Sequence, residues 1–399
     1  MTNQPSNLRQ FFFENIALTS EQPIALEPKK AAGIYIWDIN DRKYIDLIAG
    51  FNVANIGHNN LEVNEAIKKQ VDLYTHLIVY GEFIESPQVE YAGLLIKQLP
   101  AHLNCVHFTN SGTEATEGAM KLAKRVTNRA GFISFKNAYH GSTQGSLSLM
   151  GDEYWKSAFR PLLPNIQVLK YNNFDDLIHI DENIAAVVME VIQAESGITV
   201  ADKAWIQQIR TLCTQKGVLL IIDEIQTGFG RTGTMFAFEQ FGIEPDILLL
   251  GKALGGGMPL GAFIANKKKM HTLTNNPILG NISTFAGHPV SCAAGKKSLE
   301  ILIRENYIQE IQEKENIFLT CLPHPIIKKI THAGLWFSVH FESQEIAFKI
   351  IHQCILNGLI TDSFIFAPNC LRIAPSLAIT KVEIQLVVKK LQQVFDQFI

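Results

Sequence analysis

The sequence predicts an α/β protein with a large domain built on a mainly parallel sheet flanked by helices, joined to a smaller α+β domain. Three observations lead there. Runs such as "IAAVVMEVI", "GVLLIIDEIQTG" and "DILLLGKAL" are apolar on both faces, as strands of a parallel sheet covered by helices must be. Helical stretches such as "DKAWIQQIRTLCTQKG" lie between some of these runs, the alternation of an α/β fold. From about Ser291 the pattern changes to helices followed by the strand-like "LWFSVHF" and "CLRIAP". With 399 residues the chain exceeds one simple domain. The boundaries expected are 58–290 for the large domain, and 1–57 with 291–399 for the small one.

Taken along the chain, "VEYAGLLIKQL" sets Val89, Ala92, Ile96 and Leu99 on one helical face. "CVHFTNSGTEATEGAMKLAKRV" reads as strand, turn and helix, with Ala115, Ala119, Leu122 and Val126 sharing a face. The strands "GFISFKNAYHG", "IQVLKY" and "GAFIANK" complete the α/β part, and "SCAAGKKSLEILIREN" is the first helix of the tail.

Composition excludes several functions. The formal charge is −3, with no basic excess for nucleic acid and no polybasic segment for a membrane surface. No apolar run is long enough to span a bilayer. The six cysteines are scattered without a C-x-x-C pair, which points to free thiols in a reducing cytosol rather than a disulfide frame or a metal site. The start, "MTNQPSNLRQFFFENIAL", lacks the pattern of a secretory leader, so a cytoplasmic protein is expected. "NIS" at Asn281 fits a glycosylation acceptor but is idle there.

Ligands of such sheets sit beyond the carboxyl ends of the strands. The residues after five runs are "TNSGTEA", "AYHGST", "MEVIQAESG", "IIDEIQTGFGRTG" and "LLGKALGGG". Together they present Thr113, Tyr139, His140, Glu190, Gln193, Glu195, Asp223, Gln226 and Lys252. Gly112 and Thr113 open a helix, where free N–H groups and the helix dipole favour an anion; no P-loop pattern occurs. Asp223 follows "VLLII", so its carboxylate is deeply set and needs a partner such as a protonated ring nitrogen. Lys252 ends "ILLL", where desolvation lowers an amine's pKa and frees it to form an imine. Tyr139 offers a flat face for an aromatic ring. Phosphate cup, ring-nitrogen carboxylate, stacking face and imine-forming amine together describe a pyridoxal 5'-phosphate site.

On these residues the sequence resembles a class III aminotransferase, a fold-type I pyridoxal-phosphate enzyme with a seven-stranded sheet. The match runs from "GIYIWDINDRKYIDLIAGFNVANIGH" to "LRIAPSLAIT", and its most specific part is "IIDEIQTGFGRTGTMFAFEQFGIEPDILLLGKALGGGMPLGAF". The resemblance implies that Lys252 forms the Schiff base and carries the proton. It implies that Asp223 pairs with the ring nitrogen and that Gln226 faces the phenolic oxygen. Ser111, Gly112 and Thr113 fall where the family binds phosphate. Tyr139 stacks on the ring with His140 beside it, Ile225 packs on the opposite face, and Glu190 lies in the cofactor site. Thr284 matches a threonine that reaches the neighbouring subunit's phosphate, which implies a homodimer with shared sites. Arg372 matches the residue that holds a substrate carboxylate, Glu195 one that shields it, and Phe51 belongs to the substrate side.

The implied reaction is ping-pong transfer of an amino group from an amine to a keto acid. The donor stays open among ω-amine, β-amino acid and ornithine-like amines. Ornithine-type and acetylornithine-type members carry arginine after "HG", where this chain has Ser142, and a hydroxyl does not replace a bidentate guanidinium. "YHGST" and "GGGMPLGAF" are closer to the ω-amine and β-amino acid members, while Glu195 with Arg372 is an ornithine-like pairing. The alternatives are a 2,1-aminomutase and, in a different class, a non-catalytic binding protein on the same fold.

Overall fold

The computed structural model describes residues 8–399; the first seven residues of the N-terminal stretch and of the expected small domain lie outside it. In chain order the strands are β1 (Pro28–Ala32), β2 (Tyr35–Asp38), β3 (Lys43–Asp46), β4 (Cys105–Thr109), β5 (Gly131–Phe135), β6 (Ile166–Leu169), β7 (Ile184–Met189), β8 (Ile192–Gln193), β9 (Thr199–Val200), β10 (Leu219–Asp223), β11 (Ile247–Leu250), β12 (Gly261–Ala265), β13 (Lys329–His332), β14 (Phe337–His340), β15 (Leu359–Ile360) and β16 (Cys370–Ile373). Seven of them form the large sheet in the order β4-β12-β11-β10-β7-β5-β6. Only β12 runs antiparallel to its neighbours in that sheet, so the carboxyl ends of β4, β5, β7, β10 and β11 share one edge.

Each central strand feeds two cores, because successive side chains point to opposite faces. Ile221 and Leu249 pack with Ala119 and Leu122 of the helix Gly112–Thr127. Leu220, Ile222, Leu248 and Leu250 pack on the other side, with Trp205 and Ile209 of the helix Lys203–Lys216. The first helix ends at Asn128 and the second at Gly217, both in the left-handed conformation that stops a helix.

The helix Ser86–Ile96 buries Pro87, Tyr91 and Leu95, and Val89 is exposed. The expected face through Val89 is therefore turned about one residue. The hydroxyl of Tyr91 decides this, donating at 2.6 Å to the carbonyl of Leu254.

The two ends of the chain come together. β1, β2 and β3 form a sheet whose last neighbour is β15, and β13, β14 and β16 form another. Buried Arg231 ties three stretches: it donates to the carbonyls of Leu335 and Pro375 at 2.9 and 2.7 Å and to Asn55 Oδ1 at 2.6 Å. The helix Pro289–Arg304 packs on the helices Leu61–Leu73 and Ser86–Ile96 and on the turn Lys252–Gly255. Gly295 is its point of closest approach, since a Cβ there would meet the Leu254 carbonyl at 2.2 Å. Gly295→Ala is expected to cost about 1–3 kcal/mol through overpacking, read as a lower urea midpoint at unchanged m-value.

Candidate active site

The five strand ends enclose two adjoining cavities. The inner one, about 250 Å³, is lined by Gly112, Thr113, Tyr139, His140, Gly141, Ser142, Glu190, Asp223, Ile225, Gln226 and Lys252. The outer one, about 1020 Å³, brings Phe51, Trp155, Glu195, Asp362, Phe364 and Arg372 to the same Tyr139, Gln226 and Lys252. The residues common to both stand at the boundary.

Ser111 caps the helix that begins at Gly112, its hydroxyl accepting from the N–H of Glu114. The helix's own ladder offers no acceptor to the N–H groups of Gly112 and Thr113. A Cβ at 112 would meet Ile225 Cδ1 at 2.8 Å, so any larger residue there would displace the Ile225 side chain. The Thr113 hydroxyl lies 2.7 Å from those of Thr143 and Ser146, two contacts with no sequence signal.

Asp223 ends β10 and is buried. Its Oδ1 accepts from the Ile225 N–H at 2.9 Å, and its Oδ2 lies 2.7 Å from His140 Nδ1. His140, beside Tyr139, is thus a partner of Asp223. Burial works against its imidazolium, but Asp223 and Glu190 outweigh that and lift its pKa. Glu190 accepts from the N–H groups of Tyr139 and Ala194 at 3.3 and 2.9 Å, joining the loops after β5 and β7. Burial pushes its carboxyl up to about 7. Ile225 and Tyr139 flank the inner cavity.

Lys252 follows β11 in a positive-φ conformation, 50°, that an L-residue rarely adopts. Burial pulls its ammonium down to about 8, against the opposing pull of Glu195.

Arg372, in β16, is 2% exposed and engaged from two sides. Glu195 takes it bidentately, NH1 and NH2 donating at 3.1 and 2.9 Å, and its Nε donates to Asp362 at 3.0 Å. The guanidinium lies 4.2 Å from the Phe364 ring and 5.4 Å from that of Phe51. Despite burial, Arg372 holds the Glu195 carboxyl down at about 2. Asp362, whose burial pushes it up to about 6, is a residue the sequence reading missed; it lies ten positions before Arg372 in an unremarkable "TDSF" turn.

Three expected residues are placed apart. Gln193 donates to the Lys136 carbonyl at 2.9 Å and lines neither cavity. Its amide holds two loops together. Ser111 stays behind the helix start as a cap. Thr284 is exposed and lines neither cavity of its own chain.

The residues fit pyridoxal phosphate on this chain's own geometry. The helix start offers free N–H groups, glycine clears the approach, Asp223 is held rigidly, and the buried Gln226 Oε1 has no partner. A sheet of this order with a lysine at such a junction defines a fold-type I enzyme. The class-III aminotransferase family profile matches residues 16–395, and the chain belongs to that family, whose enzymes use pyridoxal phosphate. It is 36% identical to the acetylornithine aminotransferase of Bacillus subtilis strain 168 over 377 residues, covering 92% of this chain and 94% of that one. It is 35% identical to that of Methanocaldococcus jannaschii, covering 94% of each. Among solved structures, the ornithine aminotransferase of Toxoplasma gondii superposes with a TM-score of 0.91 at 27% identity, covering 98% of this chain and 94% of that one.

The Glu195 carboxylate, depressed to about 2, contributes stability that is fully present above its ordinary value of 4.5 and lost as pH falls through about 2. The stability advantage of wild type over Glu195→Gln, about 3 kcal/mol near neutrality, is expected to shrink between those pH values. Urea midpoints at matched pH measure it, and a constant difference would contradict the assignment.

Proposed function

We propose that this aminotransferase removes the terminal amine of an ω-amino donor and passes it to a keto acid in a ping-pong cycle. The observation that carries the reading is that Lys252 stands where the two cavities meet while Glu195 covers Arg372. A donor then meets an amine-accepting site with its guanidinium already neutralised. A keto acid needs Glu195 to give Arg372 up.

When bound, pyridoxal phosphate supplies an aldehyde carbon for amine exchange and a ring that takes up electrons from the substrate carbon. Lys252 Nζ would hold the cofactor and, as the free amine, would act as the base and acid that moves the substrate carbon's proton. Asp223 keeps a proton on the ring nitrogen, and His140 and the Ile225 N–H fix the orientation of its carboxylate. Gly112 and Thr113 bind the phosphate through their N–H groups. Tyr139 and Ile225, which line the inner cavity, would bind the ring. Thr284 would complete the phosphate site of a second copy, so we also propose a homodimer, located in the cytoplasm. An aminomutase has no need of a Glu195–Arg372 exchange, since it keeps its intermediate bound.

The similarity to acetylornithine aminotransferases favours a second reading of the donor, N-acetylornithine itself. Ser142 speaks against it, because its hydroxyl lines the cavity where a guanidinium would hold that donor's carboxylate. A panel of ω-amines, β-amino acids, ornithine and N-acetylornithine, each with pyruvate and 2-oxoglutarate, separates the readings. Turnover without any keto acid would overturn transamination.

Three outcomes are expected. Asp223→Asn keeps the fold, by circular dichroism, while transamination falls about 100-fold or more. Ser142→Arg raises kcat/KM for glutamate about tenfold, and an unchanged substrate profile would contradict the carboxylate argument. The rate at which apoprotein captures pyridoxal phosphate follows the neutral amine, so it rises with pH through about 8; a midpoint near 10.5 would deny Lys252 its depressed pKa.

A further inference from the structure

Gln226 touches both halves of the site, and its two ends are unequal. Its Nε2 donates at 3.0 Å to Oε1 of Glu195. Its Oε1 is buried and unpartnered, and the side chain lines the inner cavity with Asp223 and Lys252. The amide cannot be turned over while Glu195 stays. A carboxylate held at about 2 has no proton to donate, so only the amide N–H can face it. Glu195 is itself fixed by both guanidinium nitrogens of Arg372 and by the Ile365 N–H at 3.2 Å. The carbonyl end of Gln226 is thereby held away from Glu195, buried and without a partner, as long as Arg372 is covered.

We infer that Gln226 is a positioning residue that reports the state of Arg372 to the phenolic oxygen of the cofactor, by offering that oxygen a carbonyl while Glu195 is closed and an N–H once Glu195 leaves. The inference rests on the cofactor reading above. In the closed state the phenolic oxygen meets an acceptor and retains the proton it shares with the Lys252 nitrogen. When a substrate carboxylate displaces Glu195 from Arg372, the amide loses its acceptor and rotates. Its N–H then stabilises the phenolic oxygen as an anion, which weakens that oxygen's hold on the shared proton. The covered and uncovered forms of Arg372 thus give the Lys252–cofactor bond different proton affinities. The charged groups facing Lys252 are Glu195, Arg372, Asp223 and Glu190, with His140 behind Asp223 and Asp362 behind Arg372.

The test is the pH titration of the visible absorbance of the holoenzyme, a readout independent of turnover. Gln226→Leu alone is expected to lower the midpoint, because it removes the carbonyl that keeps the proton on the ring oxygen, and an unchanged midpoint would overturn the proposal. A rise of about one pH unit would show an N–H already donated there and overturn the proposal. Glu195→Gln and Glu195→Ala both remove the same charge, but only the glutamine variant keeps a side-chain carbonyl that can accept the Gln226 N–H. The midpoint of E195A is expected about one pH unit below that of E195Q, and Q226L is expected to abolish the gap. Equal midpoints, or a gap that survives Q226L, would overturn the coupling. Should E195A fail to fold, the Q226L titration decides by itself. A wild-type protein that forms no visible band with pyridoxal phosphate, or a band that persists in Lys252→Ala, would instead defeat the cofactor reading.

Discussion

Every ionisable group of the site is held away from water, so each must find an opposite charge or a fixed dipole. A carboxylate or ammonium left alone in such surroundings changes its protonation state instead of staying charged. Asp223 is held by His140 and a backbone N–H, Glu195 by Arg372, Gln226 and a backbone N–H, and Glu190 by two backbone N–H groups. Lys252 alone has no hydrogen-bonded partner among these, and burial pulls its ammonium down to about 8, as burial also pushes the Glu190 carboxyl up to about 7. The asymmetry is chemical: Asp223 and Glu195 have direct partners for their charge, and the amine has none.

The same demand accounts for the backbone strain around the site. Ala49, Gly50, Phe51 and Asn52 all have positive φ, from 45° to 64°. A left-handed turn costs roughly 1–2 kcal/mol for each residue other than glycine. It is over-determined by its surroundings. Asp46 accepts from the N–H groups of Ile48 and Ala49, Val53 and Ala54 both donate to the Ala49 carbonyl, and Asn52 reaches the Gln226 carbonyl at 3.4 Å. The turn delivers Phe51 to the guanidinium of Arg372. Lys252, with its own positive φ, sits beside it on a turn that contacts the segment. Strain of this kind concentrates where geometry matters more than stability.

Much of this was legible without coordinates. An apolar run that stops at a single polar residue marks a strand's end, so Asp223, Glu190 and Lys252 stood out, and parallel pairing required those ends to meet. The helix start at Gly112 was legible from the pattern of Ala115, Ala119, Leu122 and Val126 that follows it. Two-faced apolarity signalled the large sheet for the same reason it forms, two covering layers of helix. Val89 was misplaced because periodicity ranks faces by hydrophobicity alone, and Gln193 because a polar residue beyond a strand end does not show which partner it takes. Tyr91, whose hydroxyl needed the Leu254 carbonyl, turned one helix, and the Gln193 amide was taken by a loop carbonyl. Asp362, Arg231 and the Thr143–Ser146 hydroxyls had no local signal, because their partners lie far away in the chain or across a loop.

The sequence by itself determined the class of fold, the family, and the five strand ends that the structure brings together around Asp223 and Lys252. It could do so because each rests on local pattern: two-sided burial, a helix start, a charge at the tip of an apolar run. Only the tertiary structure decided that His140 serves Asp223, that Arg372 is closed by Glu195 and Asp362 together, and that the Gln226 amide turns its N–H to Glu195. Those are pairings between segments up to 177 positions apart, and a buried polar group takes whichever partner the packed chain brings within reach.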